Sequence, residues 1–297
     1  MNPLLIALAA VMCFATASTF FAHFSKSISP IFMNTFKAVA ALIAFGATAL
    51  ILGQFNFPET RVTFALLASG FLGLMIGDFF MLKAMTELGA SRMLMIFGLQ
   101  PFLLGLGAYV FFNQNVSPLS ILGVMAMILC LFTLSLERFK STGHWQMRGL
   151  IHGLVAIFLD AVGVLLTRWS FDHGIVAGLP ITSIQVNFIR CLGAVAGFGL
   201  YHVFVERIQI VKPFLRQTQW DRAKIILASL GGTYFSLMLY LTAISKGTLS
   251  TVSAVTITGP LFAALIECIV KKSWPSWYLL IAFTFFALGF GIFMSPQ

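Results

Sequence analysis

Apolar residues run along this chain in blocks of about twenty, the length a helix needs to cross the hydrocarbon core of a bilayer. The pattern predicts ten such helices, over residues 3–22, 31–52, 64–85, 93–112, 118–136, 150–168, 181–205, 225–244, 251–270 and 277–295. Several connections are only a few residues long, and one, ERIQIVKPFLRQTQWDRAK (206–224), is long and basic. The N-terminal MNPLLIALAAVMCFATAS has no basic region ahead of its apolar run, so it reads as a first span rather than a cleaved signal peptide.

The blocks repeat. SGFLGLMIGDFFMLKAMTELGASRMLMIFGLQPFLL (69–104) lies over ASLGGTYFSLMLYLTAISKGTLSTVSAVTITGPLFA (228–263) without a gap, matching Gly73 with Gly232, Ala84 with Ala243, Ser91 with Ser250 and Pro101 with Pro260. NTFKAVAAL (34–42) resembles NFIRCLGAV (187–195), pairing Asn34 with Asn187 and Lys37 with Arg190. The expected fold is therefore an all-α integral membrane protein of two five-helix repeats, 1–140 and 148–297. Five is odd, so the second repeat enters the membrane inverted, with a substrate site near the midplane between the halves.

The stretch IGDFFMLKAMTELGASRMLMIFGLQPFLLGLGAYVFF resembles the third and fourth spans of the EamA-type drug/metabolite transporters. The shared features are a Gly-Asp in span three, an Ala, a Gly-Ala-Ser turn and a proline in mid-span four. Lys37 sits where that family usually has an arginine. The chain departs from the family at NQN (113–115), where Gly-Glu is frequent, and at FATAS (14–18), where a Trp-Gly is usual. The resemblance implies ten spans, small-molecule transport, and termini in the cytoplasm.

Composition agrees with a membrane and adds an orientation. Of 297 residues, 59% are hydrophobic and 9% charged, with mean hydropathy +0.98. A soluble domain carries about 25% charged residues. The net charge of +9 marks loops on one membrane side rather than a nucleic-acid partner. Loops after odd-numbered spans hold Lys26, Arg92, Arg138, Lys140, Arg148, Arg207, Lys212, Arg216, Arg222, Lys224, Lys271 and Lys272. The opposite side holds Arg61, Arg168 and Lys246. Cytoplasmic loops are enriched in Lys and Arg, which places both termini outside, against the family's usual orientation.

Ionisable groups at membrane depth are costly and mark function or paired structure. Lys37, Asp78, Asp160 and Arg190 stand out, with Glu267 nearer a helix end. At 1.5 Å per residue, Lys37 and Asp78 both lie roughly 10 Å in from loops on the same side. Asp160 and Arg190 lie roughly 13 Å from the loop joining spans six and seven. The depths suggest Lys37–Asp78 and Asp160–Arg190 pairs, which either lock helices together or line, gate or exchange protons with a cavity. Lys83 reaches toward the interface from its helix end.

Asn34 with Lys37, and Asn187 with Arg190, each share one helix face. An amide beside a cation suits a carboxylate or zwitterion, and an interhelical hydrogen bond is the competing reading. Gln100 and Pro101 match the Thr258, Gly259 and Pro260 region, where the prolines kink the helices or free carbonyls toward a cavity. Tyr234, Ser236 and Tyr240 add hydroxyls to span eight. Gly73-x-x-x-Gly77 and Gly193-x-x-x-Gly197 give small faces for close helix packing.

Cys13, Cys130, Cys191 and Cys268 read as buried hydrophobes, and no set of residues has metal-ligand or cofactor spacing. No phosphate-binding glycine loop is present. The expected function is a secondary exporter of small metabolites, amino acids or related polar or amphipathic compounds, in a bacterial inner membrane. Its cavity is bounded by spans two, three, four, seven, eight and nine. Its partners are the substrate, the bilayer and protons as a coupling ion, and it acts as a monomer or homodimer. The alternatives are a lipid-carrier flippase of the same fold and a membrane-embedded enzyme using Asp78 and Asp160 as acid and base.

Overall fold

A computed structural model describes residues 2–24, 28–88, 93, 96–113, 118–142, 147–176, 178–205, 207, 211–256, 258–272 and 274–294. The helices are α1 (Pro3–Phe24), α2 (Pro30–Ile51), α3 (Thr60–Leu88), α4 (Phe97–Phe112), α5 (Pro118–Thr142) and α6 (Met147–His173). A two-residue hairpin, β1 (Ile175–Val176) and β2 (Leu179–Pro180), links α6 to α7 (Ser183–Phe204). There follow α8 (Val211–Leu215), α9 (Gln219–Lys246), α10 (Leu249–Thr256), α11 (Gly259–Lys271) and α12 (Trp277–Met294). Among the described residues, six helices are long and apolar enough to cross a membrane: α1, α2, α3, α6, α7 and α9. Shorter apolar helices lie at 97–112, 121–130, 251–263 and 277–292.

Local chemistry sets the helix starts. Ser29 caps α2 ahead of Pro30, and Thr182 and Gln185 form a capping box on α7. Thr218 caps α9 by accepting from the Asp221 amide, which turns the end of the expected basic loop into helix. Over the expected ninth span, α10 ends at Thr256 and α11 starts at Gly259. Pro101 is the second residue of Gln100–Phe112, directly after the 3₁₀ turn Phe97–Leu99, and Pro260 is the second of Gly259–Lys271.

Two departures from α-helix position the site. In α3, Gly70–Gly77 is a π-helix, and in α9 so is Leu230–Phe235. The two fall over each other in the gapless sequence alignment. Gln100–Phe112 and Gly259–Lys271 also match there, each 13 residues long and each followed by a left-handed residue, Asn113 and Lys272.

Packing is reciprocal. The middle of α3 lies against α6 and α7, and the middle of α9 lies against α1 and α2. Helix α5 packs along α12, and α4 against α10. The approach of α3 to α7 depends on glycine. A Cβ on Gly70 would stand 1.8 Å from the Arg190 carbonyl oxygen, and one on Gly193 2.2 Å from that of Leu67. Small residues let membrane helices approach this closely.

Candidate functional site

The π segment of α3 ends at Asp78 and turns that carboxylate toward α2. Lys37 Nζ meets Asp78 Oδ2 at 2.5 Å, with side chains only 3% and 15% exposed. Charge-assisted hydrogen bonds are the short, strong ones. One turn earlier on α2, Asn34 Nδ2 donates to the Met75 carbonyl inside the π segment at 2.9 Å. The expected Lys37–Asp78 pair is therefore formed, and Asn34 bonds between helices.

The second set is arranged differently. Asn187 Nδ2 donates to the Leu237 carbonyl at 3.2 Å, repeating the Asn34 bond from α7 to α9. Arg190 is buried, but among the described residues it joins no ion pair, and its Nε and Nη1 have no hydrogen-bond partner. Asp160 Oδ2 instead accepts from Gln100 Nε2 of α4. The expected contact between Asp160 and Arg190 is not made. Both approach Gly73, where a Cβ would lie 3.6 Å from Arg190 Nη2 and 3.7 Å from Asp160 Oδ1.

A cavity of about 100 Å³ lies among these helices. Its polar wall is Lys37, Asp78, Gln100, Asp160, Thr233, Ser236, Tyr240 and Thr256. Ser236 Oγ donates to the Ala10 carbonyl at 3.1 Å, while the Tyr240 hydroxyl is buried without a partner. The apolar wall includes Ala10, Val11 and Phe14 of α1 and Phe97 of α4. The lining thus comes from α1, α2, α3, α4, α6, α9 and α10. Relative to the expected boundary, α1 and α6 are gained and α7 is lost.

Several expected residues stand outside the lining. Asn34, Asn187 and Arg190 are buried behind it. The Tyr234 hydroxyl bonds Thr48 Oγ1 at 2.7 Å and its ring packs on Phe45, so it ties α9 to α2. The buried Thr258 hydroxyl donates to the Val255 carbonyl at 2.7 Å. Lys83 Nζ lies 4.5 Å from the Phe79 ring centre. The Gly-Ala-Ser turn at 89–91, residues 114–115 of NQN and the Glu267 side chain lie outside the described residues. Sequence reasoning missed Thr233 and Thr256; the signal for Thr233 was its place beside Gly232, the partner of Gly73 in the repeat.

The lining offers an ion pair, a second carboxylate held by an amide, and hydroxyls, all beside apolar walls. Such a set can pair with and hydrogen-bond a polar molecule. Among the described residues, no cluster of three or more His, Cys, Asp and Glu is placed to hold a metal.

The sequence profile of the EamA-like transporter family matches residues 1–136 and again 147–295. The chain belongs to that family. It is thus a multi-pass membrane protein of the drug/metabolite transporter superfamily. A solved structure described only as "Crystal structure of protein" matches with a TM-score of 0.74 at 17% identity, covering 98% of this chain and 95% of that one. That likeness is one of fold. No curated protein matches.

Proposed function

We propose that this EamA-like transporter is a secondary exporter of small polar or amphipathic metabolites, with amino acids and related zwitterions the best fit. The observation that carries this reading is the cavity. It holds both Asp160, which among the described residues joins no ion pair, and the Lys37–Asp78 pair, between helices drawn from both halves of the sequence. A zwitterion entering it presents its ammonium group to Asp160 and its carboxylate toward Lys37. Asp160 is also the carboxylate available to a coupling proton. A volume of about 100 Å³ lies below the roughly 300–1,000 Å³ of drug-sized ligand pockets, which favours a small metabolite over a lipid carrier's headgroup and chain.

Alternating access between two inverted five-span repeats is the mechanism this architecture favours. The family profile matching twice, the overlapping π segments and the reciprocal packing of α3 and α9 support it. The ten-span count, the bacterial inner membrane and termini on the outside complete the reading.

The test is an export screen. Cells expressing the wild type or Asp160→Asn are challenged with toxic amino-acid analogues, nucleobase analogues and cationic drugs, and external metabolites are measured. Resistance and external accumulation of a zwitterionic class, lost in the variant, is the expected result. Protection against none of the panel, with the protein shown to be in the membrane, overturns it.

A further inference from the structure

A second concavity, of about 420 Å³, opens on the outer side of α1, where that helix crosses the first half of α9. Met12, Cys13, Thr16 and Phe20 line it from α1, and Lys224, Leu227 and Gly231 from α9. Its rims are exposed and apolar: Met12, Phe20 and Leu227 keep 49%, 38% and 68% of their surface open. In a membrane-spanning chain such a rim faces lipid.

The groove is charged at one end only. Lys224 stands at one end, its side chain 50% exposed, and pairs with Asp221 at 3.3 Å. One turn toward the helix start, Trp220 is 80% exposed. Exposed tryptophans mark the headgroup level of a bilayer, so Lys224 lies just beneath it. From Lys224 to Gly231 the groove descends about 10 Å at 1.5 Å per residue, and the deeper residues carry no charge. A cation at headgroup depth above an apolar trough has the polarity of an anionic lipid, read in reverse.

We propose that this groove binds one anionic phospholipid, its phosphate on Lys224 and one acyl chain along α1 and α9. The site backs directly onto the central cavity. On α1, Cys13 lines the groove and Phe14 the cavity. On α9, Gly231 lines the groove and Gly232 the cavity. The seam between them is tight, since a Cβ on Gly232 would come 2.4 Å from the Ala17 Cβ. A chain in the groove presses on this seam and braces α1 against the π segment of α9.

The test is native mass spectrometry of the purified full chain with phosphatidylglycerol or phosphatidylcholine of identical acyl chains. Phosphatidylglycerol is expected to be retained in preference. Lys224→Gln, a change on the exposed rim, lowers that retention about five-fold, the factor a single basic residue contributes at an anionic headgroup. Thr16→Trp fills the trough and removes both lipids. Equal retention of the two lipids by the wild type overturns the proposal. So does unchanged phosphatidylglycerol retention in Lys224→Gln at an unchanged melting temperature. Neither readout depends on transport, so this inference can fail while the export reading stands, and the reverse.

Discussion

Lys37 and Arg190 occupy matching places in the two halves of the sequence, and both are buried, yet only Lys37 touches a carboxylate. Asp78 follows the π segment of α3 and faces α2 directly. Asp160 lies on an uninterrupted helix, is held by Gln100, and leaves the Arg190 guanidinium two groups short of partners. One crossing is thus electrostatically closed and the other is open. The difference teaches that a matched residue pattern in a repeat does not bring matched contacts. The helix that presents the carboxylate decides the contact.

The largest effect that tests this contrast comes from removing each cation in turn. Lys37→Met breaks a buried pair and should cost about 3–5 kcal/mol. Arg190→Met breaks no pair and should be near neutral in stability. Melting temperatures in detergent measure both, and equal losses would mean the two crossings are alike after all. Transport should fall in both variants.

Next comes the approach of α3 to α7. Gly70→Ala forces a methyl onto a backbone oxygen that cannot swing away, at a cost of about 3 kcal/mol, near the top of the overpacking range. Gly73→Ala meets only ordinary contacts at 3.6 and 3.7 Å. It should fold normally while holding Arg190 and Asp160 apart, so a slowed transport rate at an unchanged melting temperature would show that the two meet during the cycle.

Gln100→Leu leaves the Asp160 carboxylate without its donor and should cost about 1–3 kcal/mol, with transport shifted in its pH dependence. The smallest change is Tyr234→Phe, which removes the bond to Thr48 for about 1 kcal/mol. It should leave substrate selectivity untouched because Tyr234 is outside the cavity; altered selectivity in the export screen would contradict that placement.

The Lys37–Asp78 contact was legible in the sequence because depth alone brings those residues together, and α2 and α3 are neighbours. The same arithmetic failed for Asp160 and Arg190. Depth fixes height along a helix but not the direction a side chain faces. The π segments were hidden too, since GFLGLMIG is apolar throughout and a change in hydrogen-bond ladder leaves no trace in hydropathy. Helix α1 was overlooked as a wall because Ala10, Val11 and Phe14 carry no chemistry that marks a site. The repeat, by contrast, could be read because small residues and prolines are held to their places by backbone geometry.

A π turn holds one residue more than the α turn it replaces. Each residue advances an α-helix by about 100°. Were Gly70–Gly77 to wind as a plain α-helix with no residue removed, all that follows, Asp78 first, would swing about a quarter-turn around the axis of α3. The chain would keep its length of span and its hydrophobic profile, and Lys37 would face a phenylalanine or a glycine instead of an acid. The charge partnership at the heart of this transporter is thus held by a phase offset in one helix.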